Sequence, residues 1–176
     1  NTIHIPIEMM QKAIDCGYVA LATEYASIIS LDEAKHLSIS IVDPVSYRFL
    51  LAHPLLSSTI DTTQMLTNLL HSYHWSKDLH VELLAHNAVV TPSALQIAGH
   101  RNDTEMMSFL LDTHVFDPCD IKRAFWGIMK VSDNRAVQLA QIIYQKHPSI
   151  VTDHEFYKDM IHYMSNPSFN QLKSYL

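Results

Sequence analysis

The chain has 176 residues, of which 48% are hydrophobic and 17% charged, so it carries enough apolar material for a packed core and is not an intrinsically disordered segment. Its net charge of −6, from 12 Lys and Arg against 18 Asp and Glu, argues against DNA or RNA as partner, because an acidic surface gains nothing from counterion release on a phosphate backbone. No apolar run approaches the ~18 residues of a membrane span.

Three glycines and seven prolines are few for an all-β protein with many tight turns. Two cysteines, Cys16 and Cys119, make a poor disulfide framework for a secreted domain of this size, which points to a reducing compartment, the cytoplasm. Each reads as a small buried residue. Protonation of all 12 histidines would turn −6 into +6, so charge-dependent association would change at endosomal pH. The chain begins at Asn1-Thr2 with neither Met nor a signal-peptide pattern, which suggests a piece of a longer protein.

In chain order, Ile5 to Cys16 reads as a helix with Ile7, Met10 and Ile14 on one face, interrupted by Gly17. Val19 to Ser30 is a second helix, with Leu21, Tyr25, Ile28 and Ile29 apolar. Leu31 to Leu37 can form a short extra helix, and Ser38 to Val42 alternates in a strand-like way over too few residues to decide. Pro44 opens a helix from Val45 to His53, and Pro54 ends it. Asp61 and Gln64 have capping-box spacing before Met65, Leu66, Leu69 and Leu70. Ser76 to His86 is a further helix, with Leu79, Val81, Leu83 and Leu84 apolar.

Thr91 to Asp112 is the best-formed stretch. Thr91 suits an N-cap and Pro92 the first turn of a small apolar helix with Ala94, Leu95, Ile97 and Ala98. Gly99 to Asn102 breaks it, and Asp103 caps a second helix in which Met106, Met107, Leu110 and Leu111 recur at helical spacing. Phe116-Asp117-Pro118 is a turn. Helices follow at Ile121 to Val131, Ala136 to Gln145, Thr152 to Met164 and Pro167 to Leu176. No stretch offers paired strands, so the chain is expected to be all-α.

An apolar pair marks the second helices: Ile28-Ile29, Leu69-Leu70, Leu110-Leu111 and Ile142-Ile143, with a fifth near Tyr175. Successive intervals are 41, 41, 32 and 33 residues, and the longer two contain the extra segments at 31–42 and 76–86. A helix-pair repeat with insertions between the early units accounts for both facts, and a non-repetitive helical domain is the alternative.

On these residues, Thr91 to Asp112 resembles the ankyrin repeat. Thr91, Pro92, Leu95, Ile97, Ala98, Glu105, Met106, Met107, Leu110 and Leu111 match its order. The opening is one residue longer, at Ser93-Ala94. Gln96 stands for the motif's His, Gly99 for its second Ala and Asn102-Asp103 for its Gly-His. Units near 6–30, 45–73, 119–146 and 152–176 keep the two-helix plan without the Thr-Pro signature, so HEAT or tetratricopeptide-like stacking is open for them. Divergent repeats on a glycine-poor chain also look like those of effectors secreted by intracellular bacterial pathogens, whose setting would be the host cytoplasm.

The resemblance implies an α-solenoid of about five stacked helix-pair repeats forming one domain over 1–176. It implies a protein-binding module that docks another protein on a concave face, with no cofactor and no catalysis. Carried onto the best unit, the binding fringe is His100, Arg101 and Asn102 at the end of the first helix, and the following finger, His114, Phe116 and Asp117. Phe116 is either an anchor for a partner or a residue packing between fingers. Trp126 reads as core and Trp75 as a cover on the side of the stack.

The competing readings are a helical accessory domain of a larger enzyme and a histidine-based metal site. His71, His74, His80 and His86 fall within sixteen residues, and the first two are spaced i, i+3. No His-Glu-x-x-His is present, and the spacing lacks the tight pairs of structural zinc sites. There is no phosphate-binding glycine loop, and Glu8, Glu24, Glu33 and Glu155 show no paired spacing for acid–base work.

Overall fold

Helix starts follow local capping chemistry. Asp43 is extended, and its carboxylate accepts from the Ser46 N–H at 2.8 Å, with Pro44 at the first helical position. Asp61, Ser76 and Asp103 do the same for Gln64, Leu79 and Met106. The computed structural model describes residues 7–37, 43–129 and 134–151, and among these it is all-helical, with no strand. The helices expected at 152–164 and 167–176, the fifth repeat with them, and the strand-like stretch 38–42 lie outside the described residues.

Residues gather into two compact units, Asn1–Val90 and Thr91–Leu176. Unit 1 holds α1 (Ile7–Asp15), α2 (Val19–Ala26), α3 (Leu31–Ala34), α4 (Pro44–Ala52), α5 (Pro54–Ser57), α6 (Thr62–His71) and α7 (Lys77–Ala85). Here α1 packs on α2, α2 on α4, α3 on α5, and α6 on α7. Its core includes Met10, Ile14, Tyr47, Leu50, Met65, Leu69, Leu79 and Leu83. Two buried hydroxyls tie the helices: Ser46 Oγ donates to the Ile14 carbonyl at 2.8 Å, and Tyr47 Oη to the Met65 carbonyl at 3.2 Å. Arg48 reaches from α4 to Glu82 on α7, with Nε and Nη2 both at 3.0 Å from carboxylate oxygens.

Unit 2 holds α8 (Ser93–His100), α9 (Thr104–Thr113), α10 (Pro118–Met129), α11 (Asn134–Lys146) and α12 (Pro148–Val151). Its packing is more regular. α8 pairs with α9 and α10 with α11, while α10 lies on α8 and α11 on α9. Gly99 of α8 lies against Ile128 of α10, and its lack of a side chain allows the close approach. Phe125, Leu110, Leu139 and Ile143 fill the centre. Lys146 Nζ pairs with Asp112, joining α11 to α9.

Several expectations need correction. The apolar pair Ile28-Ile29 lies outside α2, which ends at Ala26, and Ile28 is 54% exposed. The cause is the next helix: Ser30 and Glu33 form a reciprocal capping box for α3, so the chain must leave the α2 helix before Ser30. The buried face of α2 is therefore Ala22 and Ala26 rather than Leu21 and Ile28. At Asp61 only half of the expected box forms, because Gln64 Nε2 turns to Asn68. Pro54 ends α4 and also opens α5.

Both cysteines are exposed, not buried. Cys16 follows the last residue of α1 in the turn before Gly17, and Cys119 sits in the solvated first turn of α10, which begins at Pro118 rather than after it.

Candidate functional site

The unit opening at Thr91 is built differently at its start from the expected cap. Pro92 is already helical, and the Thr91 hydroxyl meets the Ser93 hydroxyl at 2.7 Å instead of a backbone N–H. The Thr91 carbonyl accepts from Ala94 N–H at 3.0 Å, a tight first turn. α8 then runs through Gly99 to His100, so the break begins at Arg101 and not at Gly99.

The turn between α8 and α9 has a definite geometry. Asn102 has φ 52°, the left-handed conformation that glycine adopts most readily. The Asp103 N–H reaches back to the Ala98 carbonyl at 3.0 Å, and the Asn102 N–H to that of Gly99 at 3.1 Å. This is the bonding of a Schellman end. Gly17, φ 69°, closes α1 with the same pair of bonds, from Tyr18 N–H to Ala13 and from Gly17 N–H to Ile14. Asn87, φ 65°, closes α7 likewise. Asparagine tolerates this conformation better than other residues with a Cβ, which is how a glycine-poor chain makes these turns.

The six residues expected at the fringe do different jobs. His100 is exposed at the end of α8. Arg101 is half-buried and turns toward Asp103, Nη2 to Oδ2 at 3.9 Å, while Asp103 Oδ1 caps α9. Asn102 forms the turn, with its Oδ1 buried and without a hydrogen bond. His114 stands edge-on to Phe109 on one side, at 6.3 Å, and to Phe116 on the other, at 6.2 Å. Burial in this sandwich lowers the pKa of the His114 imidazole. Phe116 is thus half-buried against its own connector. Asp117 is exposed and accepts from the Cys119 N–H at 2.9 Å, capping α10.

The residues that sequence reasoning missed lie beside His100. A cleft of about 270 Å³ separates the surfaces of α8 and α10, lined by Gln96, Gly99, His100, Arg123, Ala124, Trp126, Gly127 and Ile128. Trp126, expected in the core, is half-buried on its wall. The two glycines were the available signal, since two of the chain's three fall here. They are not equivalent. A Cβ on Gly99 would stand 3.0 Å from Ile128 Cγ1, whereas one on Gly127 would meet nothing within 4 Å. Gly127→Ala should therefore stabilise the protein by up to about 1 kcal/mol through helix propensity. Gly99→Leu should destabilise it by about 1–3 kcal/mol through overpacking. Chemical denaturation of the two variants checks both signs.

The histidines at 71–86 do not converge. His71, His74 and His86 are exposed, and His80 is fully buried in α7, where Trp75 Nε1 donates to its Nδ1 at 3.4 Å. Trp75 precedes the Ser76 cap and His80 follows it by four, so the pair is a staple across the helix start, its rings meeting edge-on at 6.5 Å. The buried face of α7 is Leu79, His80 and Leu83, with Val81 49% exposed, against the apolar face first expected. Among the described residues no three His, Cys, Asp or Glu side chains are grouped to hold a metal ion. No described helix is long and apolar enough to cross a membrane. No protein-family model, no curated protein and no solved structure matches the chain.

Proposed function

We propose that the chain is a protein-interaction module built of divergent ankyrin-like helix pairs, acting by surface complementarity without catalysis of its own. The observation that carries this reading is the packing order in unit 2: first helix on first helix, α8 with α10, and second on second, α9 with α11. That order is what stacked helix-pair repeats require, because each pair buries its apolar face only against the next. The left-handed Asn102 in the glycine position of the motif supports the ankyrin assignment. In such a stack the first helices line the binding face, which makes the α8–α10 cleft, with His100 on its rim, the centre of the interaction surface. Phe116 and Arg101, held by contacts within the chain, serve to shape that face.

Affinity capture with the wild-type chain, Gly127→Leu and Phe116→Ala, read by quantitative mass spectrometry, tests the proposal. The cleft-filling Gly127→Leu should lose a captured protein while melting no lower than the wild type. Phe116→Ala should lose less. Capture that is the same for all three, or absent for the wild type, would overturn it.

A further inference from the structure

We propose that the α8–α10 cleft takes a short acidic segment of the partner protein, with one large apolar side chain over Gly127 and a carboxylate on Arg123. This deepens the interaction reading above and rests on it for the claim that the occupant is a protein.

The space is specific in shape. A Cβ at Gly127 would meet nothing within 4 Å, so the cleft is open there, and Ala124 and Ile128, each 1% exposed, give its lining an apolar part. A volume of about 270 Å³ lies under the ~300–1,000 Å³ usual for small-molecule sites, so it suits one or two side chains of a docked segment.

The charge of the lining itself is one-sided. The lining contains no carboxylate, and its ionisable members are Arg123 and His100. Arg123 meets Asp120 Oδ1 through Nη1 at 3.3 Å, yet its side chain stays 70% exposed. A guanidinium has five N–H donors, so a second carboxylate can be held on the same group, bidentately where geometry allows. Among the described residues Gln96 and His100 make no side-chain hydrogen bond or ion pair, which leaves two further polar groups on the rim for a peptide backbone.

The net charge of −6 decides between anions. A long polyanion extends over the whole acidic surface and is repelled. A single carboxylate senses mainly charges within a Debye length of ~10 Å at ordinary salt.

The three glycines provide the test. Amide signals of Gly99, Gly127 and Gly17 can be followed in heteronuclear NMR of the whole chain while capped peptides are added. With acetyl-Glu-Leu-Glu-amide the signals of Gly99, Gly127 and the Trp126 indole should shift, and that of Gly17 should not. Arg123→Glu should weaken the response roughly tenfold or more, the loss of one charge-assisted hydrogen bond and its replacement by repulsion. Raising ionic strength from about 0.05 M to about 0.5 M should weaken it too. Gly127→Leu should abolish the response by filling the opening.

Shifts that are equal for acetyl-Lys-Leu-Lys-amide, or that survive Arg123→Glu, would overturn the acidic preference while leaving the cleft a docking surface. No shift at Gly99 and Gly127 with any peptide would overturn the site itself. The protein-binding role would still stand if capture by the wild-type chain persists.

Discussion

Leu110→Ala is expected to cost about 2–5 kcal/mol of stability, whereas Ile28→Ala should change it by less than about 0.5 kcal/mol. Both residues belong to the same apparent repeat tag, and their surroundings differ completely. Leu110 is 0% exposed in α9, a helix packed against α8 and α11. Removing its branched end leaves a cavity that close-packed neighbours cannot collapse to fill. Ile28 follows α2, is 54% exposed, and already has half its surface in water. Urea denaturation of the full chain, with the dependence on urea unchanged, measures both. Equal losses would show that the position after α2 is a true second-helix tag.

Tyr47→Ala should be the costliest change in unit 1, at about 3–5 kcal/mol, because it empties the space of a fully buried aromatic ring. Tyr47→Phe keeps the ring and removes the hydroxyl with its bonds to the Met65 carbonyl and to Asn68, for a loss of about 1–2 kcal/mol. The hydroxyl also sets a pH dependence. Burial pushes the Tyr47 pKa from 10.0 up to about 12, with the Asn68 hydrogen bond opposing the rise. A pKa raised on folding stabilises the native state below the unfolded value and loses that contribution as pH climbs from about 10 through about 12. The wild type should therefore lose stability over that window faster than Tyr47→Phe, a comparison that cancels the exposed tyrosines. Parallel decline in the two proteins would show that the Tyr47 hydroxyl is solvated.

Much of the helical order was legible because caps are local. Asp43, Asp61, Ser76 and Asp103 each lie before a periodic apolar run and each caps as its residue type dictates. The apolar sets Met65, Leu66, Leu69, Leu70 and Met106, Met107, Leu110, Leu111 are all buried, as their helical spacing predicts. Pattern failed where one local signal overrode another. The Ser30–Glu33 box ended α2 early, and His80 went inside because Trp75 offered it an aromatic edge and an N–H.

The candidate site was legible only in part. His100 could be placed at the end of a first helix from sequence spacing. Arg123, Trp126 and Gly127 could not, because the cleft depends on which face of α10 meets α8, a tertiary fact. The Asn102 turn was legible in position, since the break was expected to run through Asn102, but its left-handed conformation was not. The eye looks for glycine at a left-handed position, and asparagine is the less frequent solution.

The proposed docking of a partner protein on the α8–α10 face of unit 2 is tested most directly by crosslinking. A photo-crosslinking residue introduced in place of Gly127, and in a second protein in place of the 96% exposed Tyr73, measures this directly in an extract containing the partner. One discrete crosslinked protein is expected from position 127 and none of that protein from position 73. The same products from both positions, or a discrete product from position 73 alone, would contradict it.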